Sequence, residues 1–292
     1  MPPVHVILIT HTPERLRRTI LAVAWSSRAP DSVTLSCDSD DPEIERVARV
    51  ACEEAGLPLT LVTRPSAGVG RASQTRNNAV RAILKTLPNP NPDAALAFFD
   101  GDCAPLHTAI ERHADALDPK GGRAHLSLGW RYDLTEQQDA EFDERALKEG
   151  LMPFTPTDDQ TAAIEKRHRR YKRQLLQRTL GFAKPHKPKL LSANFACTLA
   201  AYREVNGFDE AFEDWGQEDD DFGKRLYQAR KRVRVGLRHI LALHQYHTTR
   251  APGDWHDSPN ADLLREERPT YARLGLDTPA DQPTPEITRI GP

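Results

Sequence analysis

Four cysteines in 292 residues, with no C-x-x-C pair among Cys37, Cys52, Cys103 and Cys197, fit neither a zinc knuckle nor a dense disulfide framework. No apolar stretch reaches about 18 residues, which excludes a helix that spans a bilayer. The opening MPPVHVILITHTPERL places a short apolar run before Glu14, Arg15, Arg17 and Arg18, and so lacks the order of a signal peptide. Neither charge sign dominates: 40 Lys and Arg against 42 Asp and Glu leave a net charge of −2. That balance argues against a protein coated in positive charge for nucleic acid, while local basic patches stay open. Internal repeats and low-complexity blocks are lacking too. What is present, 38% hydrophobic and 28% charged residues, suffices for a real core. The length allows one large domain or two small ones, and the default expectation is a soluble cytoplasmic protein.

The first hundred residues alternate strand and helix signals. Val4–Thr10, Ser32–Cys37, Leu59–Thr63 and Ala94–Phe99 are short apolar runs typical of buried parallel strands. Between them, Thr12-Pro13 reads as a helix N-cap and first position, Pro42–Ala55 as a helix closed by Gly56, and Ser73–Leu87 as a third helix. Repeated βαβ units of this kind predict an α/β fold with a mostly parallel sheet and helices on both faces. Ligands of such sheets sit at the carboxyl ends of the strands, where the Asp38–Asp41 cluster and Asp100/Asp102 both fall. Farther on, 133–150 is acidic with a helical pattern. Compact patterning resumes at Leu190, with a helix expected over Asp219–Arg230 and a strand near Arg232–Leu237. The tail after Arg250, rich in Pro, Asp and Thr, reads as a loose wrap or a partly disordered segment.

Three groups of residues could carry chemistry. Phe98-Phe99-Asp100-Gly101-Asp102 delivers two carboxylates from an apolar strand, a costly arrangement unless a cation meets them. Mg²⁺ or Mn²⁺ bound by one or two carboxylates and substrate phosphates would do so, with Gly101 letting the backbone turn; the bland reading is a solvated turn. Glu218-Asp219-Asp220-Asp221 opens a helix after Trp215-Gly216. Acids there suit the helix dipole, yet one could also serve as general base while Trp215 stacks on a sugar ring. His244 and His247 could ligate a metal through imidazole or be ordinary structural histidines.

Together these residues resemble the family 2 inverting glycosyltransferases of the GT-A fold. Val205-Asn206-Gly207-Phe208-Asp209-Glu210 through Trp215-Gly216-Gln217-Glu218-Asp219-Asp220-Asp221-Phe222 is also similar to the acceptor module of the β-1,4-galactosyltransferases. The resemblance covers Val4–Asp102 and Leu190–Arg250 but not the segment between. It implies a metal-dependent hexosyltransferase using a nucleotide-diphosphate sugar, with UDP favoured, and a glycan or lipid-linked acceptor. It further implies that Asp38 binds the nucleotide base beside Thr10, His11 and Thr12, and that Arg76 and Asn194 approach the donor. Asp102, with Asp100 through water, would hold Mn²⁺ or Mg²⁺ together with His244, His247 being the reserve choice. Asp219 would be the catalytic base, with Glu218 beside it and Trp215 and Gly216 at the acceptor. Ser192-Ala193 stands where many relatives carry two glycines. One GT-A domain over 1–250 is expected: a donor half to about 130, a basic helical insertion over 131–189 and an acceptor half from 190, followed by an extension over 251–292.

Residues 165–189 carry ten Lys or Arg and one acid, Glu165. A solvated helix or lid competes here with a platform for an anionic acceptor, for donor phosphates or for the inner face of a membrane. Two other functions compete with sugar transfer. A nucleotidyltransferase would need a Gly-rich, Lys-bearing phosphate loop, which His11-Thr12-Pro13-Glu14-Arg15 is not. A non-catalytic carbohydrate- or nucleic-acid-binding protein could keep the same fold.

Overall fold

The computed structural model describes residues 1–87, 89–214, 216–248 and 259–291. The chain runs β1 (Val4–Thr10), α1 (Leu16–Ala24), β2 (Ser32–Cys37), α2 (Pro42–Ala55), β3 (Leu59–Thr63), α3 (Ala72–Thr86), β4 (Ala95–Asp100), β5 (Cys103–Pro105) and α4 (Ala109–Leu117). The middle holds β6 (Leu126–Leu128), β7 (Trp130–Asp133), α5 (Glu136–Ala140), α6 (Glu144–Lys148) and α7 (Asp158–Thr179). The last part adds β8 (Asn194–Thr198), α8 (Leu199–Glu204), α9 (Glu218–Gln228), β9 (Val233–Val235), β10 (Leu241–His244), α10 (Pro259–Arg265) and β11 (Glu286–Ile290).

The large sheet has the order β11-β3-β2-β1-β4-β8-β6-β9, parallel from β3 through β4 and reversed at β8. A smaller sheet, β5-β10-β7, stands beside it. Side chains alternate along β1: Val4, Val6 and Leu8 pack with Ile20 of α1 and Ile44 of α2, whereas Ile7 packs with Val80 of α3 and Phe98. The second face also holds a nest of aromatic rings, Phe98, Phe195, Phe208 and Phe222, with Phe98 and Phe195 stacked at 4.6 Å. No helix among the described residues is long and apolar enough to cross a membrane.

Two local expectations change. The first helix starts at Leu16, not Pro13. Thr10 Oγ1 donates to Thr12 O and accepts from Thr12 N, a turn that competes with the helix, and Arg15 takes a left-handed φ of 68° while its Nε donates to Tyr246 O. The tail is not loose over its last described stretch: β11 pairs antiparallel with β3 and covers that edge of the sheet. Residues 249–258 lie outside the described residues.

Candidate active site

The carboxyl ends of β1, β2 and β4 lie side by side, because Ile9 pairs with Asp100 and Thr10 with Cys37. Thr10, Asp38 and Asp100 therefore share one edge, with His11 exposed and Thr12 half-buried next to them. Gly101 is needed for close approach: a Cβ there would stand 2.8 Å from Thr10 Cβ, and its N–H donates to Ile9 O at 2.7 Å. Asp38 is held in place by its partners. Its carboxylate accepts Arg71 N–H at 2.8 Å and lies 2.9 Å from the buried Arg64 guanidinium. Burial draws the Arg64 pKa down to about 10, and Asp38 opposes that fall.

The small sheet builds the second group. In its register His244 faces Cys103 on one side and Asp133 on the other. Asp102 Oδ2 lies 3.0 Å from His247 Nε2 and 3.4 Å from His244 Nε2, and the two imidazole nitrogens are 3.2 Å apart. Asp133 accepts a hydrogen bond from His244 Nδ1 at 2.9 Å, so Nε2 is turned toward Asp102. Gln245 fixes this strand end: its N–H donates to Asp102 O, and its amide donates to Arg15 O and Thr19 Oγ1. Burial alone would depress the His244 pKa, but hydrogen bonds to Asp102 and Asp133 raise it to about 9. Burial likewise works against the Asp102 charge, yet His244 and His247 hold its carboxyl well below the usual range.

Asp102 Oδ2 and the two imidazole nitrogens lie within 3.4 Å of one another, donor types that suit a divalent ion, and the other Asp102 oxygen is buried without a hydrogen-bond partner. These residues fit a divalent ion. Cys103 Sγ also lies within 4.8 Å of the Asp102 and His244 ligand atoms. Burial and the Asp102 charge push that thiol well up.

Arg76 joins this edge to the acids of α9. Fully buried on α3, it donates to Asp100 Oδ1 at 3.0 Å and to Glu218 Oε1 at 3.2 Å. Burial raises both the Asp100 and the Glu218 carboxyls, each opposed by Arg76. The four acids divide their work. Asp221 pairs with buried Arg225 at 2.7 Å, and Arg225 also binds the Val205 and Gly207 carbonyls. Asp220 lies 3.2 Å from Lys189 Nζ. Asp219 stands 3.9 Å from the same amine and accepts its neighbour's N–H at 2.7 Å. Burial carries the Asp219 pKa up to about 6, with Lys189 pulling against it. Gly216 enters this turn with φ 97° and Gln217 with φ 74°, so the helix starts on a strained loop. Trp215 lies outside the described residues.

Asn194 departs from its expected place at the donor. Its amide is fully buried: Nδ2 donates to Trp130 O and Ile240 O, and Oδ1 accepts from His113 Nε2 at 2.9 Å. Those bonds occupy it in joining β8 to the small sheet, and a Cβ on Gly129 would lie 2.5 Å from it. The Val205–Glu210 motif likewise anchors structure: Asn206 holds Ala272 and Asp277, while Glu210 accepts from Asn77, Arg81 and Ala280 N–H. Sequence reasoning missed Arg64, Arg71 and Asp133, which lie in ordinary charged surroundings with no local pattern to mark them, and read Lys189 only as part of the basic segment, not as the neighbour of Asp219.

The parallel β3-β2-β1-β4 core with a reversed β8 is a mixed α/β fold similar to that of solved GT-A glycosyltransferases. Residues 181–250 match the family model described as the N-terminal domain of galactosyltransferase. S. aureus TarS 1-349 in complex with UDP-GlcNAc is similar at TM-score 0.52 and 14% identity, over 85% of this chain and 59% of that one. Its complex with UDP gives 0.52 and 16%, over 82% and 60%. GalNAc-T7 with UDP, GalNAc and Mn2+ gives 0.50 and 14%, over 85% and 44%. The chain thus spans about 60% of the TarS structures' length. No curated protein matches the chain.

Proposed function

We propose that the chain is a metal-dependent, inverting glycosyltransferase that moves a hexosyl group from a nucleotide-diphosphate sugar to an acceptor hydroxyl. The observation that carries this reading is the Arg76 bridge from Asp100 to Glu218, which joins the acidic end of β4 to the first acid of α9. Thr10, His11, Thr12 and Asp38 would receive the nucleotide, Asp38 being oriented by Arg64 and the Arg71 N–H. Asp102, His244 and His247 would hold the ion, and two imidazoles favour a transition ion such as Mn²⁺ over Mg²⁺, which prefers oxygen. Such an ion stabilises negative charge on a departing diphosphate. The UDP and Mn2+ present in the similar structures support the choice of donor and ion.

Across the cleft, Asp219 accepts the acceptor's hydroxyl proton as that oxygen attacks the anomeric carbon. The sugar–phosphate C–O bond breaks and its electron pair leaves with the diphosphate. One base and no protein nucleophile give inversion in a single displacement. A pKa near 6 leaves Asp219 ionised at neutral pH while keeping it more basic than an ordinary aspartate. Glu218, with Gly216 and Trp215, would face the acceptor, a glycan or a lipid-linked sugar.

Isothermal titration of UDP with and without Mn²⁺ tests the reading. Binding should depend on the ion and be lost in Asp102→Ala, and a screen of nucleotide sugars for hydrolysis then identifies the donor. Binding that is unaffected by metal and by Asp102→Ala removes the metal assignment; an absence of any nucleotide binding favours a non-catalytic carbohydrate binder.

A further inference from the structure

Helix α7 turns two very different faces outward and inward. Ile164 and Tyr171 are buried, Tyr171 meeting Trp130 edge-on at 6.1 Å and Arg167 stacking over the same indole at 4.0 Å. Several cations of the basic segment are committed to the protein. Arg178 binds the Lys184, Pro185 and Lys187 carbonyls, Lys189 faces Asp219 and Asp220, and Glu165, the segment's single acid, pairs with Arg238. Lys166, Arg169, Arg170, Lys172 and Arg173 are exposed and form no ion pair among the described residues. At 100° per residue, Lys166, Arg169, Arg170, Arg173, Leu176 and Leu180 lie on one stripe of the helix. That stripe ends in exposed apolar groups, Leu176 at 58% and Leu180 at 57%, and Phe182, 77% exposed, follows just past the helix.

We infer that this face of α7 docks on an anionic lipid surface. A soluble acidic polymer would satisfy the five uncompensated cations but would leave the leucines and Phe182 in water. A bilayer interface satisfies both, taking cations at its headgroups and apolar side chains at the acyl boundary. The inference goes beyond the proposed chemistry and does not depend on it. The exposed stripe lies across α7 from Trp130, one helix diameter, about 10 Å, away.

Co-sedimentation of the full chain with phosphatidylcholine vesicles, with and without phosphatidylglycerol, tests this. The wild type should bind the anionic vesicles, weakly bind the neutral ones and be released by salt. Each cation near an anionic surface is worth about fivefold in partitioning, so a Lys166→Gln, Arg169→Gln, Arg170→Gln, Arg173→Gln variant should lose on the order of a hundredfold or more. A Leu176→Ser, Leu180→Ser, Phe182→Ser variant should lose roughly tenfold on vesicles while keeping its affinity for heparin, a soluble polyanion. All the substituted side chains are exposed, so circular dichroism should stay that of the wild type. Failure to bind anionic vesicles at low salt overturns the inference. So does vesicle binding that ignores the apolar substitutions, which would make the face a platform for acidic glycans instead.

Discussion

Asp219→Asn separates function from stability in a way that needs no knowledge of the donor. The Asp219 carboxyl, 8% exposed, has its pKa raised by burial from an ordinary 3.8 to about 6. Folding therefore tightens its hold on the proton. Stability gained from that proton is complete below the unfolded value and is lost as pH rises through about 6. At about pH 8 the ionised, buried carboxylate costs the fold up to about 3 kcal/mol, at 1.36 kcal/mol per pKa unit. Asparagine carries no charge to bury and can still accept the Asp220 N–H. The variant should be more stable than the wild type at about pH 8 by up to that amount, less what Lys189 loses with one of its two acidic neighbours. At roughly 2–4 °C per kcal/mol for a chain of this size, the melting temperature should rise by several degrees. The gain should vanish near pH 4, while transfer is abolished throughout. Parallel stability curves for the two proteins between about pH 4 and 8, read by urea or thermal unfolding, would refute the view that this acid is held at a cost.

Lys189→Met bears on the same acid through kinetics. A charge at 3.9 Å is worth about 1 kcal/mol in water and about 4 kcal/mol at an effective dielectric constant of 20. Lys189 is 40% exposed and lies near the low end, so the acid limb of the rate profile should move up by about 0.7 pH unit; a limb that stays or falls removes Lys189 as its neighbour in function. Arg225→Met strands the buried Asp221 and releases the Val205 and Gly207 carbonyls, and should cost about 3–5 kcal/mol in urea unfolding. A loss under about 1 kcal/mol would mean the pair is replaceable by packing alone.

The bounds of β1, β2, α2 and β3 were readable in the chain because each depends on local signals: apolar runs for the strands and, for α2, the closing Gly56, which takes the left-handed region. The acidic strand end at Asp100 and Asp102 was readable for the same reason. The start of α1 was not, since a contact from Arg15 to Tyr246, far along the chain, holds its first turn open. Nor was the division of labour among Glu218, Asp219, Asp220 and Asp221, which look alike in sequence and differ only in whether Arg76, Lys189 or Arg225 stands opposite. Asn194 carried the right residue type for a donor contact, but its amide is spent on the small sheet.

Local propensity and apolar periodicity, which act over a few residues, thus determined the strands, most helices and the carboxylates they deliver. Only the tertiary structure decided which of those carboxylates face a cation, which face a histidine and which are left to titrate. Sheet register makes those choices: pairing His244 with Cys103 on one side and Asp133 on the other turns two scattered acids and a histidine into a single cluster.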